Sequence, residues 1–421
     1  MSQTDTDRLQ YYSRKVKSFR AIAPDDPDPN EPKVHPSTYI RIAQLQSSAL
    51  FPSLRRLHYD LGERSISHIF LFVSPLLESL EFHDINGEEN TIIGPFLFTL
   101  SSQLLNRIVL SSNTGRMSAD ILKKSIVHFK HLRSLVLLDA VFMDDFSLLE
   151  VLGTLPSLEH LTLEAHDPAS HPAQAPENSN SKGGGRKYFD ALESISVTGS
   201  IFLIQHLLGF IDSPCLKLIN ASPVINHVRN KREPDHLFTP FMTIVASKWS
   251  QSLTTLVIGL NFVDCYAISN CLMLLTHLHE MQESSPFGWN MGNMDDDVRR
   301  LVMSWPKLRT LSLIPLNQAS ISLSTLRIIA ENCPELRYLR ISLDISNIPP
   351  FDTSGESLRH NLEVLDLGRV YPYTQTTSEC RIQVARYLDL ILKSVEVPRE
   401  DVTWSGIRDM VKLCQEIRRV N

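Results

Sequence analysis

The sequence predicts an α/β solenoid: a horseshoe with an inner parallel β-sheet, outer helices and helical end caps. Three observations predict it. A three-then-two leucine spacing recurs along the chain, helix patterns fill the intervals, and both ends read as amphipathic helices. The spacing is plainest in "LPSLEHLTLEAH", where Leu158, Leu161 and Leu163 fall three and then two residues apart. Leu161-Thr162-Leu163 alternates as a strand does, and the three-residue step before it is the approach to that strand.

The same L-x-x-L-x-L pattern places Leu54, Leu57 and Tyr59, then Leu77, Leu80 and Phe82, then Leu105, Ile108 and Leu110. Leu132, Leu135 and Leu137 come next, and after the quoted stretch stand Leu192, Ile195 and Val197. Later copies are Leu253, Leu256 and Ile258; Leu308, Leu311 and Leu313; Leu336, Leu339 and Ile341; and Leu362, Leu365 and Leu367. Weaker copies start at Leu216 and near Leu278. Most neighbours lie about 23 to 28 residues apart, inside or close to the leucine-rich-repeat range. One such unit cannot bury its own leucines, whereas stacked units bury them in a shared core and turn the intervening residues outward. The asparagine or cysteine expected three residues after the third leucine occurs only as Asn113 and Asn261, so irregular curvature is expected.

The intervals read as helices. "SADILKKSIVHF" offers Ser118 as an N-cap with Leu122, Ile126 and Phe129 behind it. "DDFSLLEVL" offers Asp145 with Leu148, Leu149 and Leu152, and "SLSTLRIIAENC" offers Ser322 with Leu323, Leu326 and Ile329. "GPFLFTL" puts Pro95 in a first turn, where proline is tolerated. "SIFLIQHLLGFI" and "MDDDVRRLVMSW" share the same design.

The expected organisation has three parts. Residues 1–48 form an N-terminal helical cap and an acidic, proline-rich connector. In it, 6–22 read as one amphipathic helix with Leu9, Tyr12, Val16 and Phe19 on its apolar face. Residues 49–370 form the solenoid, interrupted at 166–187 by a low-complexity insertion expected to be disordered. Residues 371–421 form a C-terminal helical cap with Ile407, Met410, Val411 and Cys414 facing inward.

With 421 residues, 43% of them hydrophobic, the chain can bury a sizeable core. Its net charge of −6 disfavours a nucleic-acid partner. No run approaches the ~18 apolar residues of a membrane span, so no membrane partner is expected. Six scattered cysteines without a C-x-x-C pair suit a reducing compartment, cytoplasmic or nuclear. No catalytic constellation appears, so no enzyme, cofactor or metal site is expected. "THLHEMQE" holds His277, His279 and Glu280 but lacks the second histidine of H-E-x-x-H, and residues two apart on a helix point to different faces.

The informative positions are therefore the outward strand residues, which would line the concave face and contact a protein partner. Early repeats supply Arg56, His58 and Asp60, then Ser79, Glu81 and His83. The middle supplies Val109, Val136, Leu138, His160, Thr162 and Glu164. Later repeats supply Thr255, Val257, Thr310, Ser312, Tyr338, Arg340, Asp366 and Arg369. Apolar side chains exposed in such a wall mark protein interfaces, and Tyr338 and Arg340 are of the types that dominate binding energy.

The ordered blocks of the chain carry a resemblance. "ENCPELRYLRIS", with Cys333 before Pro-x-Leu, resembles F-box leucine-rich-repeat proteins of the ribonuclease-inhibitor-like class. "RLQYYSRKVKSF", "PKVHPSTYIRIAQL", "LESLEFHDI", "IGPFLFTLSSQL", "HFKHLRSL" and "IRDMVKLCQEIRR" look more like the large fungal family of F-box-like proteins. The resemblance implies repeats that hold a protein substrate. It also implies an F-box before them that docks a Skp-type adaptor and recruits a cullin ubiquitin ligase. No L-P-x-E-type opening precedes Arg8, and Leu9 to Phe19 resembles the segment just C-terminal to the box. The F-box is thus expected to be absent, with adaptor and cullin tied to a longer form. A stand-alone repeat scaffold without ligase recruitment stays open beside the ligase substrate receptor.

Overall fold

The computed structural model describes residues 8, 11–21, 49–61, 66–85, 90–100, 104–112, 119–138, 147–165, 188–224, 234–259, 265–283, 294–313, 320–350, 358, 360–371, 377–392 and 402–420. The chain divides into two compact units, Met1–Cys215 and Leu216–Asn421. Both have one plan, in which short parallel strands alternate with helices.

In the first unit the strands are β1 (Ser18–Ala21), β2 (Arg56–Asp60), β3 (Ser79–His83), β4 (Arg107–Ser111), β5 (Ser134–Leu138), β6 (His160–Glu164) and β7 (Ser194–Gly199). They pair in sequence order, each parallel to the next. The intervals hold a 3-10 turn at Ile66–Phe72 and helices α1 (Asn90–Leu100), α2 (Ala119–Ile126), α3 (Ser147–Gly153) and α4 (Ile201–Phe210).

The second unit has β8 (Leu218–Pro223), β9 (Thr255–Ile258), β10 (Glu280–Glu283), β11 (Thr310–Ser312), the two-residue β12 (Ile321–Ser322), β13 (Tyr338–Asp344) and β14 (Val364–Tyr371). Here β12 and β14 both pair with β13. Helices α5 (Pro234–Trp249), α6 (Cys265–Met273), α7 (Met294–Ser304), α8 (Leu323–Asn332), α9 (Ser378–Ile391) and α10 (Val402–Val420) complete it. This is the α/β leucine-rich-repeat architecture that the leucine spacing predicts.

The register explains why the spacing is three then two. The carbonyl just after the first leucine accepts two N–H groups from the next repeat. Arg55 O takes Glu78 N and Ser79 N at 2.8 and 3.0 Å, and Arg133 O takes Glu159 N and His160 N at 2.9 and 2.8 Å. In the second unit Arg309 O takes Arg337 N and Tyr338 N at 2.9 and 3.1 Å. These doubled bonds pin each strand to its neighbour, so the leucines line up across it: Leu135 lies opposite Leu161, and Leu161 opposite Ile195. A slip of one residue would turn every leucine outward.

The leucines meet the helices in a core. Phe82 of β3 packs on Phe96 of α1, with ring centroids 5.7 Å apart. In several repeats a buried residue three positions before the first leucine closes the turn into the strand. Phe129, Phe189 and Trp305 serve this way, their carbonyls accepting from Leu132 N, Leu192 N and Leu308 N at 3.0–3.1 Å. The Trp305 indole also donates to Leu272 O at 3.1 Å.

Cys333 fills the same turn position, fully buried, its thiol beside the Trp305 and Val302 carbonyls. Burial pushes the Cys333 thiol up to about 12, so it holds no thiolate at neutral pH. Cys215, by contrast, is exposed to solvent. With excess iodoacetamide on the native chain at neutral pH, Cys215 should be alkylated at once and Cys333 only after denaturation. Peptide mapping by mass spectrometry checks this, and early modification of Cys333 would contradict its placement in the core.

Several expectations are corrected. The helix foreseen over 6–22 does not reach its end, because Ser18–Ala21 is strand β1, paired with β2. Phe19 instead packs against Phe72 and Phe51, at 4.4 and 6.2 Å, beside the stack that those two rings form with each other. Pro95 lies inside α1, which begins at Asn90 rather than at the proline. His277, His279 and Glu280 are not helical but form the approach to β10 and its first residue. Ser118, Asp145, Asn113, Asn261 and the 166–187 insertion lie outside the described residues.

Other expectations are met. The weak copies at Leu216 and Leu278 are full repeats, with both leucines buried ahead of β8 and β10. Ser322 caps α8, accepting from Thr325 N, and is itself held by Asp295. In α10, Ile407 and Val411 are buried, while Met410 and Cys414 are half-buried.

Candidate functional site: the exposed sheet face

Purely parallel sheets are normally covered on both faces. This one is not. Burial alternates along the strands, buried residues interleaved with half-exposed or exposed ones in β2, β3, β5, β6, β7 and β9. The leucines take the buried positions and the intervening residues form an accessible face, where every nominated residue other than Arg369 can be placed. Arg369 lies in β14, and its side chain is outside the described residues.

In the first unit the middle row of that face runs His58, Glu81, Val109, Val136, Thr162 and Ser196, each opposite the next. Its polar end is a connected group. His58 Nδ1 lies 3.0 Å from Glu81 Oε2, and Arg107 Nε lies 3.3 Å from Glu81 Oε1. The His58 and His83 rings sit 4.9 Å apart. Burial pushes the Glu81 carboxyl up, but its bonds and charge contacts with His58 and Arg107 outweigh this and hold it below the ordinary value. Arg107 is a member of the group that sequence reasoning missed, Val109 being the residue singled out in that repeat. The repeat itself marks it, since Arg107 precedes Ile108 as Arg56 precedes Leu57.

The apolar part of the row is less open than foreseen. Val109 is buried, and Val136 and Leu138 are half-buried, because side chains of adjacent strands pack on one another. They still form a contiguous patch, with Val109 opposite Val136 and Ser111 opposite Leu138. Arg56 and His160 are exposed, and Asp60, Thr162 and Glu164 half-buried.

In the second unit the middle row reads Asn220, Val257, Gln282, Ser312, Arg340 and Asp366. Val257 is thus flanked by two amides and joins no apolar patch in its row. Ser312 is buried, whereas Thr255 and Thr310 are half-buried. Tyr338, Arg340 and Asp366 come together: the Tyr338 hydroxyl donates to Asp366 Oδ2 at 3.2 Å, and Arg340 Nε stands 3.1 Å from the same oxygen.

The site therefore defines a class: a leucine-rich-repeat protein with an open, mixed polar and apolar sheet face. No family model matches the chain, and no curated protein does. Among solved structures it is similar to a chain from the crystal structure of the Rad7 and Elc1 complex in yeast, at 15% identity and a TM-score of 0.39, over 89% of this chain and 92% of that one. It is also similar to a Bacteroides fragilis protein, at 8% identity and a TM-score of 0.30, over 78% of this chain and 66% of that one. Among the described residues no helix is long and apolar enough to cross a membrane.

Proposed function

We propose that this chain is a non-enzymatic protein-interaction module whose exposed sheet face binds a protein, and that it serves as the substrate-recognition part of an F-box-type (Skp–cullin–F-box) ubiquitin ligase. The observation that carries the first half is the uncovered face of an all-parallel sheet. Covering that face with a partner removes the half-exposed Val136 and Leu138 from water. The ion pairs of the face are partly exposed and add little to folding stability. They suit electrostatic selection of a partner better, since complementary charge sets register and suppresses wrong partners.

The ligase half is supported by the sequence blocks that resemble the fungal F-box-like family. Its test is to isolate the protein natively from its own cells, read its N-terminus and quantify the co-purifying chains by mass spectrometry. A Skp-type adaptor and a cullin in stoichiometric amount are the expected result. Their absence would overturn the ligase half and leave a stand-alone scaffold that binds its partner without ubiquitination.

A further inference from the structure

The group formed by His58, Glu81 and His83 fits a second task. Glu81 and His83 are two apart on β3, so both side chains project from the same face. His58 stands directly opposite Glu81 on β2. Each of the three offers one donor atom, and these atoms all lie within 4.8 Å of one another. Among the described residues no other trio of His, Cys, Asp or Glu gathers in this way.

We propose that His58, Glu81 and His83 bind a divalent first-row transition metal, Zn²⁺ above all, with a fourth position open to solvent on the sheet face. Two imidazoles and one carboxylate are a recurrent donor set for such ions, and three protein ligands leave the open position that structural four-ligand sites lack. Zinc at about 2.0–2.2 Å from nitrogen and oxygen ligands draws its donors closer than 4.8 Å, so the set closes by side-chain rotation about strands whose register is already fixed. The His58 tautomer with its proton on Nε2 presents the Nδ1 lone pair to the ion, in the place where a proton now bridges to Glu81.

Two neighbours complete the arrangement. Arg107 engages Glu81 Oε1 and leaves Oε2, the oxygen facing His58, for the metal, so the carboxylate binds through one atom in a fixed orientation. Asp60 lies opposite His83, and its buried Oδ1 has no hydrogen-bond partner. Its negative charge beside the second histidine offsets the Arg107 cation and favours a divalent ion. The inference is independent of the docking reading, because the ion needs only this chain.

The test uses the full chain, stripped with a chelator and titrated with zinc chloride in competition with a chromophoric chelator. One equivalent should bind, and Co²⁺ in its place should give the intense visible absorption of a low-coordinate site. His58→Ala and His83→Ala should each abolish binding. Glu81→Gln should cost at least the roughly 10–100-fold that loss of a supporting group costs. His128→Ala, on an exposed turn remote from the trio, should leave the affinity unchanged. Should a variant lose its fold by circular dichroism, zinc protection of His58 and His83 from diethylpyrocarbonate in the wild-type chain, mapped by mass spectrometry, decides instead. Absence of zinc binding, binding retained in folded His83→Ala, or histidines left unprotected would overturn the proposal and leave the trio as an ion-pair network.

Discussion

Leu161→Ala should lower the unfolding free energy by roughly 2–5 kcal/mol, the cost of emptying a large buried site that relaxes only in part. Leu161 is 1% exposed, the second residue of β6, and its cross-strand neighbours Leu135 and Ile195 are fully buried. Those neighbours cannot collapse into the gap, because the doubled bonds from the Arg133 and Glu159 carbonyls hold their strands in place. Thr162→Ala, one residue on and pointing outward, should stay within about 0.5 kcal/mol of wild type. Urea unfolding of both variants measures the contrast. If the two effects were reversed, the register would be displaced by one residue and the accessible face misidentified.

Changing Tyr338 and Arg340 together to alanine should weaken partner binding by about 2 kcal/mol or more, the size of a hot-spot truncation, without unfolding the chain. The two side chains share Asp366, so the double change removes an amphipathic aromatic, a guanidinium and the two groups that orient one carboxylate. Both are half-buried and alternate with the buried Leu339 and Ile341, and circular dichroism of the variant separates this loss from a folding defect. Calorimetry with the co-purified partner measures it. An unchanged affinity would move the contact to another part of the face.

The repeat was legible because its signal is local. Leu-x-x-Leu-x-Leu states in six residues which side chains enter the core, and the helices around Leu122, Leu149, Leu203, Leu301 and Leu326 carry their own periodicity. Where locality fails, so does the reading. Phe19 fits a helical stripe with Tyr12 and Val16, but edge pairing with β2 and the Phe51 and Phe72 rings prevail over that pattern. The helix Pro234–Trp249 went unread beside a weak repeat, although Phe238, Phe241, Met242, Val245 and Trp249 have helical spacing and are buried.

The site was legible as a set of outward positions but not as an arrangement. His58 and Glu81 are 23 residues apart in sequence and 3.0 Å apart in space, so no short motif can announce them. Val109 looked as available as Val136, because burial by a neighbouring strand depends on the size of the residues across the pair, which a single repeat does not reveal.

The central claim is that the accessible sheet face, not the helices, is where a protein binds. Hydroxyl-radical footprinting of the natively isolated complex, compared with the free chain, tests it most directly. The account predicts that His58, His83, His160 and Tyr338 lose reactivity in the complex, while the exposed helix residues Phe98, Phe202 and Met303 keep theirs. Protection of Phe98, Phe202 and Met303, with the sheet-face residues still reactive, would contradict it.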